Sequence, residues 1–303
     1  MSKNKSIGYE LNQSPFYSLK SRKDLARLLF ISERNLKLLT RSKNLYLEHD
    51  QESNTGKIRH IEKPKTKLKS VQKRVRVLLS KIRIPDYIHA PGKSRSYITN
   101  AIPHKNASVI RRIDISKYFS STRSVNVYRF FNQTMLCSPD VAGILTRLLT
   151  FNDHLPTGSP SSPILSYFTH INMWSKIYEI VEAGNCNLTV YMDDVTVSGN
   201  QVPSRLIWEI KQQFHKFSLR SNDKKEKYYV NKQSCEITGV IIHNRNKLIA
   251  PNRQHLKIRQ IDQELLLCKD NLEKQQELGL KREGLQSQIR QIDGANNSTG
   301  STV

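Results

Sequence analysis

The sequence predicts an α+β fold, because runs of strand-forming residues alternate with helical patterns along the middle of the chain. Apolar runs typical of strands occupy 109–115 and 188–197, and apolar residues recur at helical spacing over 68–82 and 203–219. Hydrophobic residues make up 37% of the 303 residues, which is enough for a buried core and argues against a disordered chain.

The N-terminal segment, residues 1–44, is predicted to contain a helical pair. Ser21 followed by Asp24 is a capping-box pattern that leads into the apolar positions Leu25, Leu28 and Leu29. A second short helix is predicted through Leu36–Leu39. The same stretch is also typical of a helix-turn-helix, which would read DNA. Both interpretations stay open at this point.

A hairpin is predicted over 46–61, around Asn54-Thr55-Gly56, because Asn and Gly tolerate the positive φ of a tight turn. The next helix, over 68–82, carries lysine and arginine on the faces that its apolar residues leave free. A cationic face of this kind is either exposed to solvent only, or contacts the phosphates along a nucleic-acid backbone.

The remaining elements follow from caps, periodicity and turn residues. We expect a helix after Ser138-Pro139, one long helix over 164–181 that ends before Gly184, and a strand hairpin over 188–197. A further helix is predicted over 203–219. Short strands are then predicted at 228–230, 235–242 and 247–249, before a final helical region and a polar tail at 292–303.

The charge balance predicts a polyanionic partner. The chain has 49 lysine and arginine residues against 26 acidic ones, a net charge of +23, and such a field repels itself unless an anion binds. Nucleic acid is the expected partner; solubility by charge or docking on anionic lipid are the alternatives. No apolar run could cross a membrane and no signal peptide is recognisable, so a cytosolic protein with no membrane partner is expected. The four cysteines lack a C-x-x-C pair and are interpreted as ordinary thiols.

Acidic residues interrupt two of the predicted strands. Asp193 and Asp194 lie at the apex of the 188–197 hairpin, and Asp114 lies at the end of the 109–115 strand. Neighbouring acids would repel unless neutralised, and Mg²⁺ prefers carboxylate oxygens. Two such ions can activate a hydroxyl and stabilise a leaving pyrophosphate. An Asp-Asp pair alone is more often a solvated turn.

The order of these segments resembles reverse transcriptases over residues 45–255. Asp114–Phe119 resembles the first catalytic motif, Tyr191-Met-Asp-Asp194 resembles the Tyr-x-Asp-Asp box, and Leu155–Pro163 is similar to a Leu-Pro-Gln-Gly-x-x-x-Ser-Pro loop. The resemblance implies a right-hand polymerase that copies RNA into DNA. Its expected parts are fingers (45–108), a palm (109–245), a helical thumb (246–291) and the flexible tail (292–303). The palm is expected to be an antiparallel sheet backed by helices, and helices near 120–160 are expected to belong to the fingers.

The resemblance also implies the roles of individual residues. The catalytic acids are Asp114, Asp193 and Asp194, which with Ile115 would bind two Mg²⁺ ions. Phe119 would exclude a ribose 2′-OH, unless it is only a core aromatic, and Thr157 replaces the usual glutamine. The expected contacts of the incoming deoxynucleotide are Arg59, Lys65, Phe119, Thr157, Gly158, Tyr191 and Lys225.

Two further segments resemble those of retron reverse transcriptases, namely Asn100-Ala-Ile-Pro-His104 and Ile237-Thr-Gly239. The resemblance implies a cognate structured non-coding RNA as template and primer, a branched RNA–DNA product called msDNA, and a retron effector protein in bacterial phage defence. The implied RNA-binding residues are Asn100, His104, Thr238, Gly239, Arg253 and Lys257. A group II intron-like reverse transcriptase and a non-catalytic nucleic-acid-binding module are the alternatives.

Overall fold

A computed structural model describes residues 8–52, 56, 58–230, 234–244, 246–268 and 271–297. Within these residues the chain forms ten strands and twelve α-helices. The strands are β1 (Tyr46–Glu52), β2 (Ile58–Pro64), β3 (Ile88–Ala90), β4 (Val109–Asp114), β5 (Asn187–Tyr191), β6 (Asp194–Gly199), β7 (Lys227–Val230), β8 (Cys235–Ile237), β9 (Val240–His243) and β10 (Lys247–Ile249). The helices are α1 (Arg22–Leu28), α2 (Glu33–Arg41), α3 (Thr66–Leu79), α4 (Tyr97–Ala101), α5 (Tyr118–Ser121), α6 (Ser124–Arg129), α7 (Pro139–Leu149), α8 (Ser162–Thr169), α9 (Ile171–Ala183), α10 (Ser204–Lys216), α11 (Asn252–Leu267) and α12 (Leu272–Asn297).

A five-stranded sheet forms the centre of the fold, with the strand order β3-β5-β6-β4-β7. β4 pairs antiparallel with both β6 and β7, and β5 pairs antiparallel with β6. β3 pairs parallel with β5, so the expectation of a wholly antiparallel sheet is wrong at this edge. The reason is topological, since the long connection from β3 to β5 allows the two strands to run in the same direction.

The predicted hairpin and the C-terminal strands form separate small sheets. β1 and β2 pair antiparallel from Tyr46↔Pro64 to Glu52↔Ile58, and the predicted turn residues Asn54 and Thr55 lie outside the described residues. The predicted strand 235–242 is two strands, β8 and β9, which pair with β10 in a three-stranded sheet. Thr238 and Gly239 both have positive φ, so the chain reverses there instead of continuing.

Capping side chains begin several helices where the sequence indicates. The Ser21 hydroxyl accepts hydrogen bonds from the backbone N–H groups of Lys23 and Asp24, which confirms the start of the N-terminal pair. The single helix predicted over 164–181 is instead α8 and α9, separated at His170, whose backbone leaves helical geometry. The buried His170 ring packs against Tyr118 and Phe217, and this packing outweighs the continuous helical pattern.

The molecule has two hydrophobic clusters. The larger one joins the N-terminal helices, α3 and α7 to α8–α10 and the five-stranded sheet, with Trp174 and Phe214 buried at its centre. The smaller one joins α4 and Ile110 to the three-stranded sheet and the end of α12. Two cores of this kind are the result expected when a chain of this length folds as more than one packed layer.

The prediction of a flexible tail is wrong for residues 292–297, because helix α12 continues to Asn297. Ile292 is fully buried in the smaller cluster, and the Asn296 side chain bonds both backbone groups of Leu248. These contacts stabilise a helical end that polar composition alone argues against. Residues 298–303 lie outside the described part of the chain.

In the described residues, no helix has the length and apolarity that a membrane span requires. The four cysteines are free thiols, as predicted.

Candidate active site

Three strands place the acidic residues at one end of the central sheet. Asp114 ends β4 and is the register partner of Asp194, which begins β6. The Ile115 N–H donates to the Asp193 carbonyl at 2.8 Å. Paired residues of antiparallel strands have Cα atoms about 4.5–5.5 Å apart, so Asp114, Asp193 and Asp194 are neighbours in space.

The turn that carries Asp193 is strained. β5 ends at Tyr191 and β6 begins at Asp194, so Met192 and Asp193 form a two-residue loop. Met192 has a φ of 59°, a conformation in which glycine is usual. Its N–H donates to the Ala90 carbonyl of β3 at 3.3 Å. The turn therefore lies one residue earlier than predicted, and a backbone contact from β3 holds it.

The three carboxylates differ in their partners. Asp114 is buried and accepts a hydrogen bond from Lys225 Nζ at 2.6 Å, and Asp194 accepts one from Arg112 Nη2 at 3.3 Å. Burial, followed by the nearby carboxylates of Asp194 and Asp114, raises the pKa of Asp193 to about 6. Burial also raises the pKa of Asp194, against the effect of Arg112. Asp193 is the acid that forms no ion pair in the described residues, although the nearby Lys225 ammonium opposes the rise of its pKa.

The donor set fits a divalent cation. The cluster has three carboxylates against two cations, and all its acidic side chains offer oxygen, the ligand that Mg²⁺ prefers. In the described residues these side chains are not gathered into a preformed metal cluster. Lys225 and Arg112 bind two of them. Metal binding would therefore replace ion pairs that the protein itself supplies.

Lys225 reaches the acids through a short 3₁₀ turn, Asp223–Lys225. The Asn222 N–H donates to the Asp114 carbonyl at 2.7 Å, and the Lys225 N–H donates to the Asn222 carbonyl at 2.9 Å. These bonds attach the predicted Asn-x-x-Lys segment directly to the end of β4. The hydrogen bond to Asp114 raises the pKa of the Lys225 ammonium, which keeps its proton in place.

The loop 155–163 is fastened to β2 by a polar cluster that we call the clip, made of Glu62, His154 and Thr157. The buried Glu62 carboxylate accepts from the Thr157 N–H at 3.2 Å and contacts His154 Nε2 at 2.8 Å. The Thr157 hydroxyl donates to the His60 carbonyl at 2.9 Å and accepts from the Glu62 N–H at 3.2 Å. Thr157 thus joins the loop to the β1–β2 hairpin.

Other predicted nucleotide contacts are spread around this region. Phe119 is partly buried on α5, next to the fully buried Tyr118, and Tyr191 is partly buried at the end of β5. Arg59 is exposed on β2. Lys65 Nζ donates to Asn44 Oδ1 at 2.6 Å, so its side chain is held toward the N-terminal segment. A nucleotide contact by Lys65 would require that bond to break.

A family model described as "Reverse transcriptase (RNA-dependent DNA polymerase)" matches residues 47–242, which is more than half of the chain. The chain belongs to the reverse transcriptase family. The matched residues contain all three acids of the candidate site, the 155–163 loop and Lys225. Its enzyme class is therefore RNA-directed DNA polymerase.

Three curated relatives have sequences similar to this reverse transcriptase. The chain is 27% identical over 258 residues to the retron Se72 reverse transcriptase of Salmonella heidelberg (strain 579083-10), covering 81% of this chain and 67% of the relative. It is 28% identical over 147 residues to the retron Ec86 reverse transcriptase of Escherichia coli, covering 48% and 46%. It is 27% identical over 167 residues to the retron Mx65 reverse transcriptase of Myxococcus xanthus, covering 49% and 39%. The matched part is less than half of the second and third relatives.

Asn100 and His104 of the reverse transcriptase are fully buried. His104 Nδ1 contacts Ser198 Oγ at 2.6 Å and its Nε2 contacts Thr189 Oγ1 at 2.7 Å, so the ring bridges β5 and β6. The Asn100 amide donates to Thr238 Oγ1 at 3.3 Å. The RNA-binding role predicted for these side chains stays a prediction, and their burial restricts it to an indirect one, through the position of the catalytic hairpin.

The remaining predicted RNA contacts lie at the surface. Gly239 follows Thr238 in the β8–β9 turn, and Arg253 on α11 forms a two-bond ion pair with Glu236 beside that turn. Lys257 is exposed one helical turn further along α11. Gly239, Arg253 and Lys257 therefore border one surface, and their contact with RNA remains a prediction.

Arg112, Glu62 and His154 bind residues of the site but were not predicted from the sequence. Arg112 was identifiable, because residues two apart on a strand share a face and Arg112 precedes Asp114 by two. Glu62 and His154 are 92 residues apart, and nothing local in either segment indicates that they meet.

Replacing Thr157 by valine is expected to lower the free energy of unfolding by about 1–2 kcal/mol, because two hydrogen bonds of the clip are lost while the shape is kept. Urea denaturation measures the effect. Thr157→Ser keeps the hydroxyl and should behave nearly as the wild type. Equal stability of the valine and serine variants would show that the clip contributes nothing.

Acid sensitivity is expected from the buried His104. Burial lowers its pKa to about 3, against about 6.5 for an unfolded histidine. Only the neutral ring is tolerated in the folded state. Its contribution to the free energy of unfolding is therefore complete above pH 6.5 and is lost as the pH falls toward 3. His104→Gln should make the free energy of unfolding less dependent on pH, by up to about 1.4 kcal/mol per pH unit in that window. Urea denaturation between pH 4.5 and 7.5 measures the slope. The exposed His49→Gln is the control, and equal slopes in the two variants would contradict the prediction.

Proposed function

We propose that this enzyme reverse transcribes a cognate structured non-coding RNA into msDNA by two-metal nucleotidyl transfer. The observation that carries the proposal is the meeting of Asp114, Asp193 and Asp194 at the end of the central sheet, beside Lys225. A fold that holds one buried and two partly buried carboxylates against two cations carries a cost that a nucleic-acid-binding module has no reason to keep. This favours catalysis over the non-catalytic alternative.

The acids and the Ile115 carbonyl would hold two Mg²⁺ ions, which when bound lower the pKa of the primer hydroxyl and stabilise the leaving pyrophosphate. Lys225, whose pKa the Asp114 carboxylate raises, would give its proton to the pyrophosphate as it leaves. Phe119 would exclude a ribose 2′-OH. The loop containing Thr157 and Gly158, with Arg59, Lys65 and Tyr191, would orient the deoxynucleotide.

The right-hand arrangement that the sequence suggests assigns the β1–β2 hairpin and α3 to the fingers, the central sheet to the palm, and α11–α12 to the thumb. In this assignment the clip joins fingers to palm through Thr157. The exposed cations of α11, including Lys257, would follow the primer–template duplex by phosphate and 2′-OH contacts.

The retron assignment is supported by the names of the three relatives and by the Asn100–Thr238 contact, which joins the two retron-like segments. We infer that synthesis begins at a 2′-OH within the RNA, and that enzyme and msDNA act with an effector protein in phage defence. The relatives' bacterial sources support a bacterial origin, and we propose a cytoplasmic location.

Sequencing the nucleic acid that co-purifies with the protein from a bacterial host tests this proposal. We expect a DNA strand joined 2′–5′ to an RNA, which debranching enzyme separates, and a second protein in the purified complex. A linear cDNA without a branch would favour the group II intron-like alternative, and absence of any DNA product would contradict polymerisation.

A further inference from the structure

A basic groove lies between the N-terminal helical pair and α7. It has a volume of about 570 Å³ and is lined by α1, α2 and α7. Its lining contains five cations and two acids, namely Arg22, Arg34, Lys37, Arg41 and Arg147 with Glu33 and Asp140. Every one of these residues falls within 22–41 or 140–147, so none comes from the strands that carry the catalytic acids.

The charges in this groove are only partly neutralised. Arg22 forms a two-bond ion pair with Asp140. Among the described residues, Arg34, Lys37, Arg41 and Arg147 have no carboxylate partner, and all four are exposed. The groove therefore presents four cations that form no ion pair in the described part of the chain.

Three of the free cations form a row along one helix. Arg34, Lys37 and Arg41 are spaced by three and four residues on α2, so they share a face. The row is about 10 Å long at 1.5 Å per residue, and successive phosphates of one strand advance about 3.4 Å along a duplex. Arg147 faces the row from α7. This spacing suits several successive phosphates better than a single small anion.

Apolar and acidic residues complete the lining. Leu36 is buried, and Ile144 packs against the same core, so the floor is fixed. Glu33 lies among the cations without a partner in the described residues. A carboxylate repels phosphate but accepts a hydrogen bond from a ribose 2′-OH, a group that RNA has and DNA lacks. The donor set therefore favours RNA.

We propose that this groove binds the backbone of the RNA that the enzyme copies, at a position separate from the site of synthesis. The inference rests on the proposed function in assuming that a structured RNA is the partner. Arg34, Lys37, Arg41 and Arg147 contact phosphates, and Glu33 accepts from a 2′-OH. The groove anchors the RNA while its template segment moves through the active site.

The test compares two double variants of the full chain with equal loss of charge. Lys37→Gln/Arg41→Gln removes two cations of the groove, and the matched control Lys23→Gln/Lys43→Gln removes two exposed cations outside it. Glutamine keeps the helix propensity of the replaced residues. Binding of a 20-base-pair RNA stem is measured by fluorescence anisotropy from 50 to 300 mM KCl, with a DNA duplex of the same sequence alongside.

We expect the groove variant to bind the RNA stem about 10- to 50-fold more weakly at 0.1 M salt, with a log–log salt slope that is less steep by about 1.5. The control pair should change the affinity less than threefold. Arg147→Gln, on the facing helix, should weaken binding by about five- to eightfold and supplies a second variant if α2 does not tolerate the double change. Equal RNA affinity of groove and control variants would overturn the proposal. An equal loss of affinity for the DNA duplex would overturn the assignment to RNA.

Extension of oligo(dT) on poly(rA) by the wild type separates this inference from the proposed function. If the wild type extends the primer while the groove and control variants bind RNA alike, the groove proposal alone is wrong. If the wild type extends nothing, the proposed function fails, and the binding comparison still decides whether the groove holds RNA.

Discussion

Replacing Asp193 by asparagine is expected to reduce the rate of Mg²⁺-dependent deoxynucleotide incorporation by a factor of about 100 to 1000. Asparagine has nearly the shape of aspartate but removes the one charge of the cluster that forms no ion pair in the described residues. Incorporation on poly(rA)/oligo(dT) measures the loss, and RNA affinity should stay within a few-fold of the wild type. A non-catalytic binding module predicts no incorporation by the wild type and equal RNA affinity of the two proteins.

The same substitution is expected to stabilise the metal-free protein. Burial raises the pKa of Asp193 from 3.8 to about 6, so the fold disfavours its charged form. Below pH 4 this destabilisation is absent, because the carboxyl is protonated in both the folded and the unfolded state. It grows between pH 4 and 6 and is complete above pH 6. Asp193→Asn should therefore raise the melting temperature by a few degrees at pH 7.5 in EDTA, but not at pH 4.

Mg²⁺ should reverse that order of stability, because a bound cation favours the charged carboxylate. Adding it should raise the melting temperature of the wild type and leave Asp193→Asn almost unchanged. Asp153→Asn is the matched control, since Asp153 forms a surface ion pair with Arg123 and its positive φ suits asparagine. Equal melting temperatures of wild type and Asp193→Asn in EDTA at pH 7.5 would contradict the account of the cluster.

The location of the acids was predictable because their signals are local. A charged residue that interrupts an apolar strand is visible in sequence, and Asp114 and Asp193 each follow such a run. The resemblance implied that the three acids act together. That the two strands are neighbours with Asp114 opposite Asp194 is a matter of register, which periodicity alone does not determine.

The features that escaped prediction depend on contacts between distant segments. The break at His170 follows from packing of its ring on Tyr118, 52 residues earlier. Burial of His104 follows from hydroxyls on β5 and β6, and the helical end near Ile292 follows from packing on the three-stranded sheet. In each case tertiary contacts outweighed a local composition that indicated something else.

Gly158→Ala is expected to push the 155–163 loop away from β2. A Cβ at this position would lie 2.6 Å from the Glu62 carbonyl oxygen and 3.0 Å from its carbonyl carbon. These are backbone atoms of β2, and the clip holds Glu62 in place from the other side. The loop and the hairpin must separate, which should lower the free energy of unfolding by about 1–3 kcal/mol.

Separation of the loop from β2 should also impair nucleotide use, because a displacement of about 1 Å near a reacting centre can cost about a hundredfold in rate. We expect kcat/KM for deoxynucleotides to fall about 10- to 100-fold on poly(rA)/oligo(dT), while RNA affinity is kept. Gly143→Ala is the matched control, since a Cβ there meets nothing within 4 Å and alanine favours helix α7 by about 0.5–1 kcal/mol. If Gly158→Ala retained both stability and nucleotide use, the contact between Gly158 and Glu62 would not govern the active site. A loss of stability with unchanged kcat/KM would limit that contact to folding, because a loop that merely packs on β2 need not position the nucleotide.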